Sequence, residues 1–244
     1  MTGRLRALLR LFAVQGTWNY ERMLGVGMGY AAEPLLEDLK RVDPQRYSEA
    51  VVRSAEFFNC NPNLAGLALG ATVRAEYEGV PGAKISRLRT ALCSPLGALG
   101  DQFFWAGLVP VLVGFALAAV ALGAGWWAVV AFLLAYNGVR VWTARWALAT
   151  GLSAGMNVGA AISRSWMSTA IAKVSPAAGF AVGLALPLVA AWYLHHVPPA
   201  GALGALALTA AGVAGARWLG PRLTAIRLAL GVVALILLLR LVIR

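Results

Sequence analysis

This sequence has few charged residues, two cysteines and two histidines. Only 13% of its 244 residues are charged and 60% are hydrophobic, whereas soluble proteins average about 25% charged and roughly 45–50% apolar. The balance excludes soluble enzymes, disordered chains and collagen-like chains. Cys60 and Cys93 do not form a disulfide framework or a metal-binding spacing, and His195 and His196 are the only histidines. We therefore predict no metal site and no cofactor.

Acidic residues are absent from residues 102–244, because all ten lie between Glu21 and Asp101. The nine basic residues of that acid-free stretch lie mainly at the borders of apolar runs, where Lys and Arg anchor membrane proteins. A nucleic-acid-binding protein would instead cluster its basic residues on one solvated face. The net charge of +11 therefore indicates a multi-pass membrane protein and no nucleic-acid partner.

Apolar runs predict an all-α fold with about five spanning helices. They lie near residues 103–122, 126–143, 174–194, 199–217 and 223–243. The loops at 123–125 and 195–199 carry no Lys or Arg and are expected on the outer side. Arg240 and Arg244 would also lie outside, so the last segment is either a full span or a re-entrant one.

The first 15 residues favour an amphipathic helix lying on the membrane surface. Leu5, Leu8, Leu9 and Phe12 share one helical face, while Arg6 and Arg10 lie on another face. The alternative is a frayed, solvated terminus.

Residues 16–101 contain two interrupted apolar stretches. Asp43-Pro44 is a typical helix start, and the helix is predicted to run through Phe58 and stop at the amide cluster Asn59–Asn63. The next apolar stretch, Leu64–Val73, is too short to cross a bilayer. Proline and two glycines interrupt the second stretch, Ser94–Asp101. We predict two re-entrant or broken hairpins in a region that holds the substrate site, since interrupted membrane segments mark transport sites.

Asp101 is the acid at the mouth of a predicted span, which makes it a functional candidate. It is also well placed to cap the helix that begins near residue 103, and the two roles are compatible. Glycines recur at four-residue spacing, for example Gly66/Gly70 and Gly179/Gly183. Such pairs are typical of close helix packing in lipid.

Three longer motifs stand out in the first half of the chain: Gln15–Met23, Glu56–Pro62 and Ser94–Trp105. In this order they resemble the patterns Q-G-S-W-N-[YF]-E-R-M, E-F-F-N-T-x-P and G-P-L-A-G-x-G-D-x-x-F-W of the IID subunit of mannose/fructose/sorbose-type phosphotransferase system (PTS) permeases. The resemblance covers roughly residues 8–195. Ser54 stands where the family often has histidine, and the segment between Glu78 and Lys84 is shorter than in the family.

The resemblance implies a sugar permease subunit in the bacterial inner membrane that works with a IIC subunit. Family members assemble as trimers of IIC–IID pairs. The implied cytoplasmic partners are the IIB and IIA proteins. IIB carries a phosphate on a histidine and transfers it to a hexose-type sugar. The IID subunit itself is expected to carry no catalytic residue. The alternative is a non-transporting assembly or regulatory subunit of an incomplete PTS, which Ser54 and the shortened loops favour slightly.

Polar and aromatic side chains on or beside the interrupted stretches are the candidate sugar ligands, because hydroxyl-rich ligands need fixed donors and acceptors. They are Trp18, Asn19, Glu21, Asn59, Asn61, Asp101 and Gln102. Trp105 is a further candidate for stacking on a sugar ring. The candidates for docking IIB are Arg22, Arg53, Arg87 and Arg89. Helix capping, inter-subunit hydrogen bonding and simple solvation are the alternative roles of these residues.

Overall fold

The computed structural model describes residues 3–196 and the isolated positions 201 and 204. Apart from these two positions, the predicted spans at 199–217 and 223–243 lie outside the described residues. Within the described part, all regular elements are helical, and extended pairing is limited to isolated bridges. The chain divides into a unit of residues 1–189 and a second unit of residues 190–244. The core and the cleft described below lie in the first unit.

Ten α-helices lie in the part of the chain that the structure describes. They are α1 (Arg4–Phe12), α2 (Gly25–Leu36), α3 (Leu39–Val42), α4 (Pro44–Ser54), α5 (Ala65–Tyr77), α6 (Gly82–Phe103), α7 (Val109–Ala121), α8 (Trp127–Ala154), α9 (Val158–Ser163) and α10 (Met167–His196). Short 3₁₀ turns at Val14–Thr17, Pro62–Leu64 and Gly155–Asn157 and a π-helical turn at Phe104–Leu108 join several of them.

Three helical stretches among the described residues are long and apolar enough to cross a membrane: Gly82–Ala121, Trp127–Ser163 and Met167–His195. The predicted spans 103–122, 126–143 and 174–194 fall on these stretches, and their bounds within the membrane stay a prediction. Each helix extends beyond its apolar run, because backbone hydrogen bonding continues through polar sequence once neighbouring elements pack against it.

The predicted interruption at Ser94–Asp101 is wrong. Helix α6 runs without a break through this stretch, with Pro95 inside it. A proline in a helix interior costs about 3 kcal/mol, which packing must offset. One face of α6 is buried at helical spacing along its whole length: Ile85, Arg89, Leu92, Leu96, Gly100 and Phe103. Tertiary packing of this face therefore holds the helix across the proline.

The chain does leave helical structure at the other predicted interruption. Helix α4 ends at Ser54, earlier than predicted, and Pro62 opens a 3₁₀ turn that leads into α5. Nearly all of α5 is buried in protein. A Cβ on Gly66 would lie 2.8 Å from the backbone nitrogen of Leu148 in α8. The predicted close packing at Gly66 is therefore confirmed.

Helix α1 lies against α2 through Ala7, Leu8 and Leu11, which are buried. Arg6 and Arg10 form ion pairs with Glu37 and Glu33 of the α2 region at 2.9 and 2.6 Å. The predicted apolar stripe is split, since Leu8 packs inward while Leu5 and Leu9 are exposed. A membrane-surface position of α1 stays a prediction.

Candidate functional site

An open cleft of about 590 Å³ lies between the loop that follows α4 and one face of α6. Its lining combines amides, a carboxylate, thiols and aromatic rings. The lining residues are Gln15, Phe57, Asn59, Cys60, Asn61, Pro62, Cys93, Ser94, Gly97, Ala98, Asp101 and Trp105. The cleft thus joins the three segments that carry the sequence motifs.

Asn61 connects the loop to α6 through Asp101. Its Nδ2 donates to Oδ1 of Asp101 at 2.9 Å, and its Oδ1 accepts from the backbone nitrogen of Asn63 at 3.1 Å. Asn61 is 2% exposed, whereas Asn59 and Asp101 are exposed. The predicted sugar ligands Asn59, Asn61 and Asp101 therefore lie together, and Asn61 is the buried one of the three.

Gly100 allows this approach. A Cβ built on Gly100 would overlap the Cβ and Cγ atoms of Asn61. Gly97 lies one turn earlier on α6, and a Cβ there would meet no atom within 4 Å. The two glycines of the motif thus have different surroundings: one receives the Asn61 side chain and the other borders open space.

The loop that carries Asn59 and Asn61 is held from both sides. The backbone nitrogen of Leu24 donates to the oxygen of Phe58 at 2.8 Å, which joins the loop to the segment before α2. Below the loop, Arg89 donates to the backbone oxygen of Glu56 at 2.8 Å and lies 4.9 Å from the ring centre of Phe58. Arg89 is only 2% exposed, so it supports the loop from inside the protein, and its predicted docking role stays a prediction.

The segment of residues 17–23 forms a tight turn beside the cleft. Oδ1 of Asn19 accepts from the backbone nitrogens of Glu21 and Arg22 at 3.1 and 2.8 Å. Trp18 packs edge-on against Tyr20 with ring centres 4.8 Å apart. Asn19 therefore organises the turn through its own hydrogen bonds.

Four of the predicted sugar ligands are not part of the cleft lining among the described residues: Trp18, Asn19, Glu21 and Gln102. Gln15 and Trp105 do line it. Gln15 was not among the predicted ligands, although its position at the start of the first motif was a signal for it.

Arg53 lies in a buried charge cluster. Its Nε donates to Oε1 of Glu76 at 2.8 Å, and Nη2 of Arg46 lies 3.0 Å from Oε2 of the same carboxylate. Glu76 is 3% exposed. These contacts tie α4 to α5, whereas the other two arginines proposed for docking, Arg22 and Arg87, are exposed.

The thiols in the cleft wall are not arranged as a metal site, and no group of three metal-ligating side chains occurs among the described residues. Burial raises the pKa of the Cys60 thiol well above its usual range, and the neighbouring Cys93 adds to this effect. Cys60 therefore remains a neutral thiol at physiological pH and is a poor nucleophile.

The family model and the curated relatives that this chain matches are all IID components of sugar permeases. The family model of the PTS mannose/fructose/sorbose family IID component matches residues 3–193. The mannose-specific EIID component of Escherichia coli (strain K12) is 30% identical over 155 residues, covering 62% of this chain and 54% of the relative. The fructose permease IID component of Bacillus subtilis (strain 168) is 31% identical over 148 residues, covering 59% of this chain and 53% of the relative.

Solved structures agree in fold. The cryo-EM structure of the mannose transporter ManYZ in complex with microcin E492 matches with a TM-score of 0.56 and 26% identity, covering 72% of this chain and 66% of that chain. A second structure, described as a membrane protein, matches with a TM-score of 0.63 and 27% identity, covering 73% and 67%. The chain spans about half the length of the first curated relatives it matches. It belongs to the mannose/fructose/sorbose family of PTS IID components.

Proposed function

We propose that this chain is the IID membrane subunit of a mannose-type PTS sugar permease and forms the sugar path together with a IIC subunit. The observation that carries the proposal is the polar cleft, in which the amide loop after α4 meets Asp101 of α6. Family membership and three membrane-length helices support it. The relatives' names point to mannose, fructose or sorbose as the sugar class.

The chemistry of the cleft suits a carbohydrate. The Asn61 hydrogen bond occupies one oxygen of the Asp101 carboxylate, and the other oxygen is available to accept from a sugar hydroxyl. Asn59 can both donate and accept. Trp105, which is 49% exposed in the cleft wall, can cover the apolar C–H face of a ring. Trp18, Glu21 and Gln102 lie on flanking segments and are assigned to the rim of the path or to contacts with IIC.

The phosphoryl-transfer partner docks on exposed arginines in this proposal. Arg22 and Arg87 are exposed and remain available to the acidic surface of a IIB protein, which is supplied by IIA. IIB phosphorylates the sugar after passage, so this chain needs no catalytic residue of its own. The pairs assemble as trimers in the bacterial inner membrane, where α1 lies on the membrane surface with Leu5 and Leu9 towards lipid.

The test is phosphoenolpyruvate-dependent uptake of labelled mannose, fructose and sorbose into vesicles that contain the full chain, its IIC partner and the soluble PTS proteins. Asp101→Asn keeps the shape of the side chain but removes its charge. We expect uptake to fall at least tenfold, because a carboxylate that accepts from a hydroxyl becomes an amide. Glu49→Gln is the matched control, since Glu49 is an exposed carboxylate of α4 outside the cleft.

Equal uptake by wild type and Asp101→Asn would contradict the assignment of the site. If the wild-type complex assembles with IIC but takes up none of the three sugars, the non-transporting assembly or regulatory role replaces the permease role.

A further inference from the structure

Asn61 is almost fully buried, although it was expected to bind sugar in the cleft. It is 2% exposed, while its neighbours in the site, Asn59 and Asp101, are exposed. Its amide nitrogen donates to Asp101, and its amide oxygen accepts from the backbone of Asn63. Because both ends of its amide are already hydrogen-bonded and the residue is buried, Asn61 acts on the site mainly through the Asp101 carboxylate.

The surface of α6 is shaped to receive this side chain. At Gly100, the three nearest atoms to an added Cβ all belong to Asn61, and two of them, Cβ and Cγ, would overlap it. A glycine is unfavourable in a helix interior compared with alanine, so its presence here fits a steric requirement. A Cβ at Gly97, on the same helix and the same cleft, would meet nothing within 4 Å.

We propose that Asn61 and Gly100 are positioning residues for Asp101. Gly100 lets the Asn61 side chain lie against α6, and the Asn61 amide then fixes the orientation of the Asp101 carboxylate. This inference rests on the proposed function, in which Asp101 accepts a hydroxyl of the sugar. A carboxylate that is already oriented loses less conformational freedom when the ligand binds, which strengthens binding.

The steric part of the proposal is tested without transport, on the full chain purified with its IIC partner. Gly100→Ala should lower Tm by roughly 5 °C, because the added methyl overpacks a filled space. Gly97→Ala should leave Tm unchanged or raise it by up to about 3 °C, since alanine is the better helix former. In an Asn61→Gly background, Gly100→Ala should no longer be destabilising, because the atoms that it meets are gone.

The accessibility of Cys60 gives a second readout of the same contact. Cys60 precedes Asn61 and is 8% exposed, so its reaction with N-ethylmaleimide in a Cys93→Ser background reports whether the loop is seated. We expect the reaction to be at least fivefold faster with Gly100→Ala and to stay within twofold of the parent with Gly97→Ala. If Gly100→Ala has the same effect on Tm in both Asn61 backgrounds, or matches Gly97→Ala in both readouts, the steric fit is refuted.

The positioning part is tested by uptake kinetics of Asn61→Ala in the vesicle assay. We expect the KM for the best transported of mannose, fructose and sorbose to rise about tenfold, which is the loss of roughly one hydrogen bond. The maximal rate per folded complex should change less than threefold. A purely structural role would lower the amount of folded complex, and hence the maximal rate, without raising KM.

The positioning role of Asn61 and the proposed sugar site at Asp101 can be refuted separately. If Asp101→Asn is impaired while Asn61→Ala keeps the wild-type KM, the positioning role is refuted and the proposed site survives. If Asp101→Asn transports like the wild type, the proposed site itself is refuted.

Discussion

Helix α5 and helix α6 both carry small residues, but the two helices have different surroundings. In α5, Gly66 and Gly70 face the backbone of α8, and almost every residue of the helix is buried. In α6, one face is buried, while Gly97 and Ala98 of another face line the open cleft. Close backbone packing thus buries α5 against α8, whereas α6 keeps one face open towards the cleft.

Glycines at four-residue spacing do not always mark a contact between helices. Gly66 and Gly70 meet α8, whereas a Cβ on Gly179 or Gly183 in α10 would meet no atom within 4 Å among the described residues. The predicted small-residue packing is therefore correct for the first pair and absent for the second within the part of the chain that the structure describes. Spacing places two small residues on one face, but it does not say whether another helix lies there.

The largest expected effect concerns the charge that joins α4 to α5. Glu76→Ala should lower the free energy of unfolding by about 4 kcal/mol, because it leaves Arg46 and Arg53 without their buried counter-charge. Glu78→Ala is the control, since the exposed Arg74–Glu78 pair is expected to contribute about 0.5 kcal/mol. Thermal unfolding in detergent measures both. Equal losses of unfolding free energy for the two substitutions would contradict the burial of the Glu76 ion pairs between α4 and α5.

The next effect concerns the glycines of α5. Gly70→Ala should cost roughly 2 kcal/mol, since its Cβ would lie 2.5 Å from the backbone nitrogen of Leu152. Backbone atoms cannot move aside as a flexible side chain would. Gly138→Ala on α8 is the open counterpart and should be neutral or slightly stabilising in the same unfolding measurement. A neutral Gly70→Ala would mean that α5 and α8 are not in close contact.

The smallest expected effect concerns the reactivity of the Cys60 thiol in the cleft wall. Because burial raises the pKa of Cys60, little thiolate forms at neutral pH, and alkylation should be slow. In the Cys93→Ser variant, the rate should keep rising with pH beyond the range in which an ordinary thiol levels off, because burial raises the pKa of Cys60. The same thiol in the unfolded chain should level off near its ordinary pKa of about 8.5. A native rate that levels off there too would show that Cys60 is exposed.

Much of the architecture was predictable. Apolar composition and the absence of acids after Asp101 predicted an all-α membrane chain, and the Asp43-Pro44 helix start appears as expected, with the Asp43 side chain accepting from the backbone nitrogen of Arg46. The amide cluster at Asn59–Asn63 was correctly predicted to lie outside the helix. These features depend on local chemistry, which the sequence carries directly.

The continuity of α6 was not predicted, although its periodicity was present in the sequence. Its buried face includes Arg89 and Gly100 beside apolar residues, so the sequence did not show a continuous hydrophobic stripe. Pro95 and two glycines instead favoured the prediction of a helix break. Whether a proline breaks a helix depends on the packing energy available on the opposite face. That energy comes from segments far away in the sequence.

The sequence alone indicated a membrane environment, an all-helical fold and the family of this protein. Composition, hydropathy and contiguous motifs are local properties, so they can be taken directly from the sequence. Only the tertiary structure decided which motif residues meet. It brought Asn61 to Asp101, forty positions apart, paired the partly buried Arg53 with the buried Glu76 and buried Arg89 beneath the loop. Such partners are set by the packing of helices against one another, which no local pattern specifies.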